Sequence, residues 1–459
     1  MNQVNDRRHN PWLWIPALCA AEEIPSAMVT YVALIMFLQF GASESLSSVY
    51  AALLFVPWTL KSVLYTRAVM VKSVTRRIYA VEMLMLMSLM LIALFLEKCR
   101  VGHMPLFVMM MALSVLCAWH ELLSRLYYGR MLMPRQQKLF KTTKTVASFI
   151  SLVMTYGLLI IVAGFFEVFF RSYRKAWAME SAIVAGVFFI VAVINVIVLK
   201  SSPKKVRMIR GIEPHDGPHL LQTAERLKVM PHACRLLCSL FFLLLPQALL
   251  FNTRVFFLFS TDEAGGLGCS VQDVGYAQGT IGVVAFAVGM GWGRWFMKKG
   301  LVKKRFDVAS VVLTLSPVAY LLMSQWRQPG CLALICCMTF FAQFCLGFGL
   351  NACNAFVTYF SGRRYRNTTN FLYIPVVSVL MIVPMALSGW LCSMMGYKTY
   401  FIMCVAMAPA AWMVMSMSGV NKILFAVDGH IRLEKYKTQN HEINNAAEHD
   451  NGASKVVSD

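Results

Sequence analysis

The sequence predicts an all-α integral membrane protein: twelve transmembrane helices in two six-helix bundles. Three observations predict it. Of 459 residues, 58% are apolar and only 14% charged, against about 25% charged in soluble domains, and such a chain cannot cover a water-facing surface. Its apolar residues fall into twelve runs, each reaching the ~20 residues a helix needs to cross hydrocarbon. Lys and Arg collect in alternate connections, 31 in one set and 7 in the other, an asymmetry that orients membrane helices.

The runs lie near 11–40, 47–69, 78–97, 104–128, 145–168, 177–199, 232–260, 272–297, 306–325, 331–360, 369–395 and 397–418. The longest polar connection, 200–231, divides them six and six. It gives an N-terminal bundle (1–199), a linker expected in the cytoplasm, and a C-terminal bundle (232–418). The tail, 419–459, turns polar and is expected to be disordered and cytoplasmic. Equal hydropathy halves are what a parallel-repeat transporter shows. The charge bias predicts both termini in the cytoplasm. The formal net charge of +21 is spread in short basic clusters between apolar runs, which marks topology and excludes a nucleic-acid footprint.

The first run carries Glu22 and Glu23 side by side, bracketed by Pro16 and Pro25. A carboxylate at membrane depth costs ~2.5–3.5 kcal/mol on insertion scales, so such an acid signals a cavity, a partner or a proton site. Neighbours on a helix point about 100° apart, so the two acids face different ways. Either they carry protons, or one is a packing acid kept neutral by burial. In the second run Lys61 follows Pro57 and Trp58. It either snorkels to the surface or meets Glu22 or Glu23 across the helix pair.

The fourth run holds His120 and Glu121, with Ser124, Arg125 and Tyr128 after them. Glu121 and Arg125 stand in the favourable i, i+4 order, either as a structural ion pair or as part of a pathway. A second His is missing, so this is not a zinc motif. A Lys144, Ser148, Ser151, Thr155 stripe in the fifth run is a weaker signal. In the seventh, Gln247 and Arg254 share one side with Asn252 near. Arg254 suits an anionic solute group or a place at the outer interface. In the tenth, Gln343, Gly347, Asn351, Asn354 and Thr358 fall on one helical face, lining a cavity or binding a neighbouring helix. The thirteen cysteines are scattered among apolar residues with no metal-ligand spacing. Gly265, Gly266 and Gly268 lack the Lys-Ser/Thr of a phosphate loop. No nucleotide motif, cofactor site or enzymatic signature is present in the sequence.

Several stretches carry a resemblance. They are Asn10-Pro-Trp-Leu-Trp-Ile-Pro16 with Ala21-Glu-Glu-Ile-Pro25, Val56-Pro-Trp-Thr-Leu-Lys61, and Glu263-Ala-Gly-Gly-Leu-Gly268 with Val274-Gly-Tyr-Ala-Gln-Gly-Thr-Ile-Gly-Val283. Ala342-Gln-Phe-Cys-Leu-Gly-Phe-Gly349, Tyr359-Phe-Ser361 and Ser388-Gly-Trp390 complete the set. From about residue 10 to 418 the chain resembles the major facilitator superfamily, and within it the AmpG-like permeases of bacterial muropeptide recycling. The resemblance implies the major facilitator fold in a bacterial inner membrane. It implies proton-coupled import of a sugar-containing solute, a muropeptide or amino-sugar compound, by a monomer surrounded by lipid. Against that branch, Arg125, Gln247 and Ala342 stand where acids are expected. The loop after the second run keeps only Arg67, Lys72, Arg76 and Arg77 of the superfamily signature, and Met297 stands for an Asp after the eighth. The lost acids and polar tail suit a second class, a transporter-derived sensor or scaffold.

Overall fold

Proline and glycine, more than helix propensity, shape this chain, because nearly every other residue between the loops is free to remain helical. The structure, a computed structural model, describes residues 10–61, 73–98, 102–200, 233–297, 302–326, 331–360 and 362–417. The expected linker beyond Lys200, the tail from 418, and Arg67 and Lys72 lie outside the described residues.

Twelve helical segments follow one another: α1 (Pro11–Gln39), α2 (Glu44–Leu54, continued by Val56–Thr59), α3 (Val74–Lys98) and α4 (His103–Met131). Next come α5 (Pro134–Leu152, Val153–Leu159 and Ile160–Phe170) and α6 (Tyr173–Val198). The second half comprises α7 (Ala233–Phe259), α8 (Val271–Phe296), and α9 (Val302–Thr314, continued by Ser316–Gln325). It ends with α10 (Leu332–Phe360), α11 (Gly362–Met395) and α12 (Tyr397–Met417). No strand occurs among the described residues. By length and composition, 9 of the described helices can each cross a membrane. Large apolar side chains such as Met87, Phe169, Ile190 and Trp292 point outward, where only lipid can cover them.

Helices α1–α6 pack on one another and α7–α12 on one another, with α3 against α6 and α8 against α10 among the most extensive pairs. This is the expected all-α architecture of twelve helices in two bundles, among the described residues. The bundles meet along two seams, α2 on α11 and α5 on α8. Both seams sit toward the end carrying the hairpins at 40–43, 260–270 and 396, here called the hairpin end. The opposite, terminal end carries Lys200, whose carbonyl accepts from Thr75 Oγ1 at 2.9 Å.

Glycine makes the seams close. A Cβ on Gly279 of α8 would collide with the Tyr156 carbonyl of α5, and one on Gly389 of α11 with the Glu44 carbonyl of α2. Pro57 explains the break in α2 at Phe55: it lacks an N–H to donate and crowds the preceding turn, and the interruption turns Trp58 and Lys61 to a new direction. Ser43 caps the start of α2, its hydroxyl accepting from Leu46 N at 3.2 Å. The Gly265–Gly268 stretch is a tight turn, with φ of +85° at Gly265 and +62° at Gly268, conformations glycine adopts without penalty.

Three stretches wind more loosely, as π-helix: Met28–Val32 in α1, Val153–Leu159 in α5 and Gly275–Gly282 in α8. Such turns shift side chains off the 100° period and are frequent at functional sites. Each contributes to the same place.

Candidate functional site

That place is a cavity of about 350 Å³ between the bundles, walled by α1, α5 and α7 to α11. The loosened stretches supply Tyr31, Tyr156, and Gln278 with Gly282. Most of the remaining wall is leucine and phenylalanine, so the few polar groups define its chemistry. Gln343 of α10 donates from Nε2 to Gln278 Oε1 at 3.2 Å, and Gln278 donates to the Tyr320 hydroxyl at 2.9 Å. Gln247, beside Pro246 in α7, donates to the Leu313 carbonyl at 2.9 Å and also lines the cavity. Among the described residues the lining contains amides, hydroxyls and one cation, Arg254, and no carboxylate.

Arg254 faces this cavity rather than lipid and is 6% exposed. Its Cζ lies 4.9 Å from the Phe251 ring centroid and 5.3 Å from that of Tyr31. Two ring faces attract the cation without neutralising it. Its Nε has no hydrogen-bond partner among the described residues.

The other substrate-cavity candidates go elsewhere. Asn252 is fully buried and donates to the Met385 carbonyl at 3.2 Å and the Ser48 carbonyl at 3.5 Å, joining α7 to α11 and α2. Asn351 donates to the Met290 carbonyl at 2.8 Å and joins α10 to α8. The α10 stripe therefore splits, because eight residues advance the direction by about 80°, enough to carry Asn351 from the cavity to the neighbouring helix. The Asn354 side chain lies outside the described residues.

Lys61 does not pair with Glu22 or Glu23. It forms an ion pair with Glu121, whose other oxygen lies 3.1 Å from Arg125 Nη2 in a second ion pair. Trp58 Nε1 also donates to Glu121, at 3.0 Å. The kink at Pro57 brings Trp58 and Lys61 to α4 together. The i, i+4 pair of Glu121 and Arg125 thus forms, with Lys61 as a third member.

Glu22 and Glu23 face α5 instead. Ser148 lies beside the Glu23 carboxyl, with the Lys144 and Lys61 charges near it. Glu22 lines a narrow cleft with Trp14, Tyr128 and Lys144, and Lys144 Nζ sits 5.4 Å from the Tyr128 ring centroid. The faint stripe of Lys144 and Ser148 is thus what meets the acids. Neither acid lines the central cavity; Tyr156 lies within electrostatic reach of both Glu23 and Arg254, and its hydroxyl is 2.5 Å from Thr30 Oγ1 in α1.

His120 turns away from Glu121 to the far side of α4. Its Nε2 is 3.2 Å from Glu82 Oε1 of α3, and Asn195 of α6 donates to the same oxygen at 2.7 Å. All three are buried. Glu82, Asn195 and the buried Glu180 of α6 were legible by the rule that singled out Glu22, a polar group within an apolar run, but sit near run ends where an interfacial place is the simpler expectation. Tyr31, Tyr156 and Gln278 gave no periodic signal, because the π-helical turns that present them break the period.

At the hairpin end a polar latch crosses the bundle boundary. Glu44 of α2 accepts from Ser260 Oγ at 2.7 Å and from the Tyr397 hydroxyl of α12. Beside it Ser48 Oγ donates to the Ala386 carbonyl at 2.8 Å.

No protein-family profile matches this sequence, and no curated protein does either. Solved structures do match in shape. The nucleoside transporter NupG superposes with a TM-score of 0.66 at 14% identity, covering 89% of this chain and 99% of that one. A bacterial homologue of the human lysosomal transporter Spinster, inward-facing and unoccupied, gives 0.63 at 14%, with 93% and 96% covered. A D-xylose–proton symporter gives 0.59 at 14%, with 87% and 95% covered. At such identities the likeness carries the fold.

Proposed function

We propose that this chain is a secondary transporter that imports a small, sugar-containing solute with protons by alternating access. The observation that carries the reading is the polar cavity at the seam between two bundles whose contacts, among the described residues, cluster toward one end. With both termini cytoplasmic, as the charge bias predicts, the closed hairpin end faces outward and the cavity belongs to an inward-facing state. Rocking the bundles about the seams would break the Glu44 latch and expose the same cavity to the other side. The amide chain of Gln343, Gln278 and Tyr320 offers donors and acceptors to hydroxyl groups, and the leucine and phenylalanine walls cover the remaining surface. Transporters of a nucleoside and of xylose share the fold. Within the resemblance to muropeptide permeases of a bacterial inner membrane, an amino-sugar compound suits the space better than a whole muropeptide. A volume near 350 Å³ lies at the lower end of ligand pockets.

Protons would use Glu22 and Glu23, which sit on the α1 face opposite Lys144 and Ser148, one helix away from the cavity. The test is uptake into proteoliposomes containing the purified chain. Accumulation of a labelled N-acetylated or carboxylate-bearing amino-sugar compound under an imposed inward proton gradient, and its loss with a protonophore, is the expected result. Exchange without accumulation would remove the proton coupling. Neither uptake nor exchange across sugars and muropeptides would turn the reading to the sensor class.

A further inference from the structure

We infer that the central cavity selects a solute bearing a single negative charge, and that Arg254 is the residue that binds it. The inference rests on the transport reading above and names the class of solute. Four observations lead to it. Arg254 is the only ionised group in the described cavity wall. It is 6% exposed, and its Nε has no hydrogen-bond partner among the described residues. Finally, no acid in the C-terminal bundle is placed to neutralise it. Between residues 233 and 418 the acids are Asp262, Glu263, Asp273 and Asp307, and none of them lines the cavity.

A buried, unpaired guanidinium is costly unless something compensates it. Tyr31 and Phe251 orient the group but bring no charge. In a low-dielectric pocket the uncompensated cation raises the local concentration of anions and repels cations. Its planar fork matches a carboxylate or phosphate through paired N–H donors. A single positive charge balances a carboxylate, whereas a phosphate dianion would leave one charge unmatched in the pocket. Gln278, Gln343 and Gln247, the cavity amides, then remain for hydroxyl or amide groups on the rest of the solute. The class is a hydroxyl-rich monocarboxylate, such as a sugar acid.

The test needs no knowledge of the natural solute. Gln343→Cys in the full-length chain puts a thiol in the cavity. Its reaction with a sulfonate-bearing and a trimethylammonium-bearing methanethiosulfonate is compared, each rate taken above that of the unmodified chain and relative to a free thiol. The sulfonate reagent is expected to react about tenfold faster, and Arg254→Gln in the same chain to bring the ratio to about one. Arg254→Lys should restore most of the preference. Equal rates without the Arg254 change overturn the inference while leaving the transport reading in place. If neither reagent reaches the thiol, the open cavity itself is refuted and both readings fall. Millimolar glucuronate, glucose and glucose 6-phosphate then compete with labelling. Stronger protection by glucuronate than by the other two supports the monocarboxylate. Equal protection by glucose, better protection by glucose 6-phosphate, or none by glucuronate overturns it.

Discussion

In the N-terminal bundle the helices carry Glu22, Glu23, Glu82, Glu121, Glu167 and Glu180, with Lys61, Lys144 and His120 among them. In the C-terminal bundle the four acids lie in the 260–270 hairpin, at the start of α8, or on the exposed terminal end of α9, and the interior offers amides, hydroxyls and Arg254. Both bundles solve the same packing problem, six helices hiding backbone and small residues from lipid. The difference therefore reflects chemistry rather than fold. On the proposed reading, the groups that would exchange protons collect on one side of the seam and most of those that would read a solute on the other. A motion of one bundle against the other must then pass any coupling through the shared elements, and Tyr156 with Thr30 stands where the two sets adjoin.

The largest effect that would break this division is loss of titration in α1. A carboxyl couples transport to protons only by gaining and losing one. Glu23→Gln keeps the shape and hydrogen-bonding capacity of the side chain beside Ser148 but cannot titrate. Proton-driven accumulation in vesicles is expected to collapse to simple equilibration, while exchange without a gradient persists; Glu22→Gln, tested singly, assigns the role between the two. If both variants accumulate substrate as the unmodified chain does, the acids only pack, and the division loses one of its halves.

Next in size is the α2–α4 ion cluster. Removing one partner from a buried pair costs ~3–5 kcal/mol, because a charge is left unpaired. Glu121→Gln leaves Lys61 facing Arg125 and should lower thermal stability by an amount near that range, discounted because Arg125 is half exposed. Adding Lys61→Met should recover a large part. Equal losses in the single and double variants would show that the cluster does not act as a unit.

A smaller effect is expected at the latch. Glu44→Gln and Tyr397→Phe each weaken a charge-assisted hydrogen bond between bundles, of the order of 1.5–3 kcal/mol at most. Opening of the hairpin end should rise at most about 10–150-fold, read as labelling by an impermeant reagent of the buried Cys392, kept as the single cysteine. Unchanged labelling in both variants would mean that glycine packing at Gly279 and Gly389 alone holds the end shut.

The fold was legible because hydropathy, helix length and loop charge all report directly on burial in lipid, and among the described residues each run holds a helix near its expected place. The site was legible only in part, because polar residues in a membrane reveal that they need partners and not which ones. Gln247, Gln343 and Arg254 fell on the cavity as their helical faces suggested. Lys61 was misdirected by chain order: α1 and α2 are neighbours in sequence, but the Pro57 break turns the lysine toward α4. His120 and Glu121, adjacent in sequence, serve different helix pairs because neighbours on a helix point about 100° apart. Glu82 and Glu180 satisfied the same rule as Glu22 and differed only in lying near run ends.

The smallest effect sharpens the comparison most finely, because it lies within one helix. Gln343 and Asn351 both belong to the polar stripe of α10, yet one faces the cavity and the other the α8 backbone. Interhelical hydrogen bonds in membranes average ~0.6 kcal/mol, since an unfolded helix in lipid also finds partners. Asn351→Ala should therefore cost about that much stability and leave solute binding unchanged. Gln343→Ala removes the donor to Gln278 and with it the amide chain to Tyr320, so binding should weaken about five- to tenfold with little loss of stability. Paired thermal melts and binding isotherms on the two variants separate the cases. Should Asn351→Ala weaken binding as much as Gln343→Ala, the face of α10 toward α8 takes part in recognition, and the cavity extends farther toward the terminal end than its present walls.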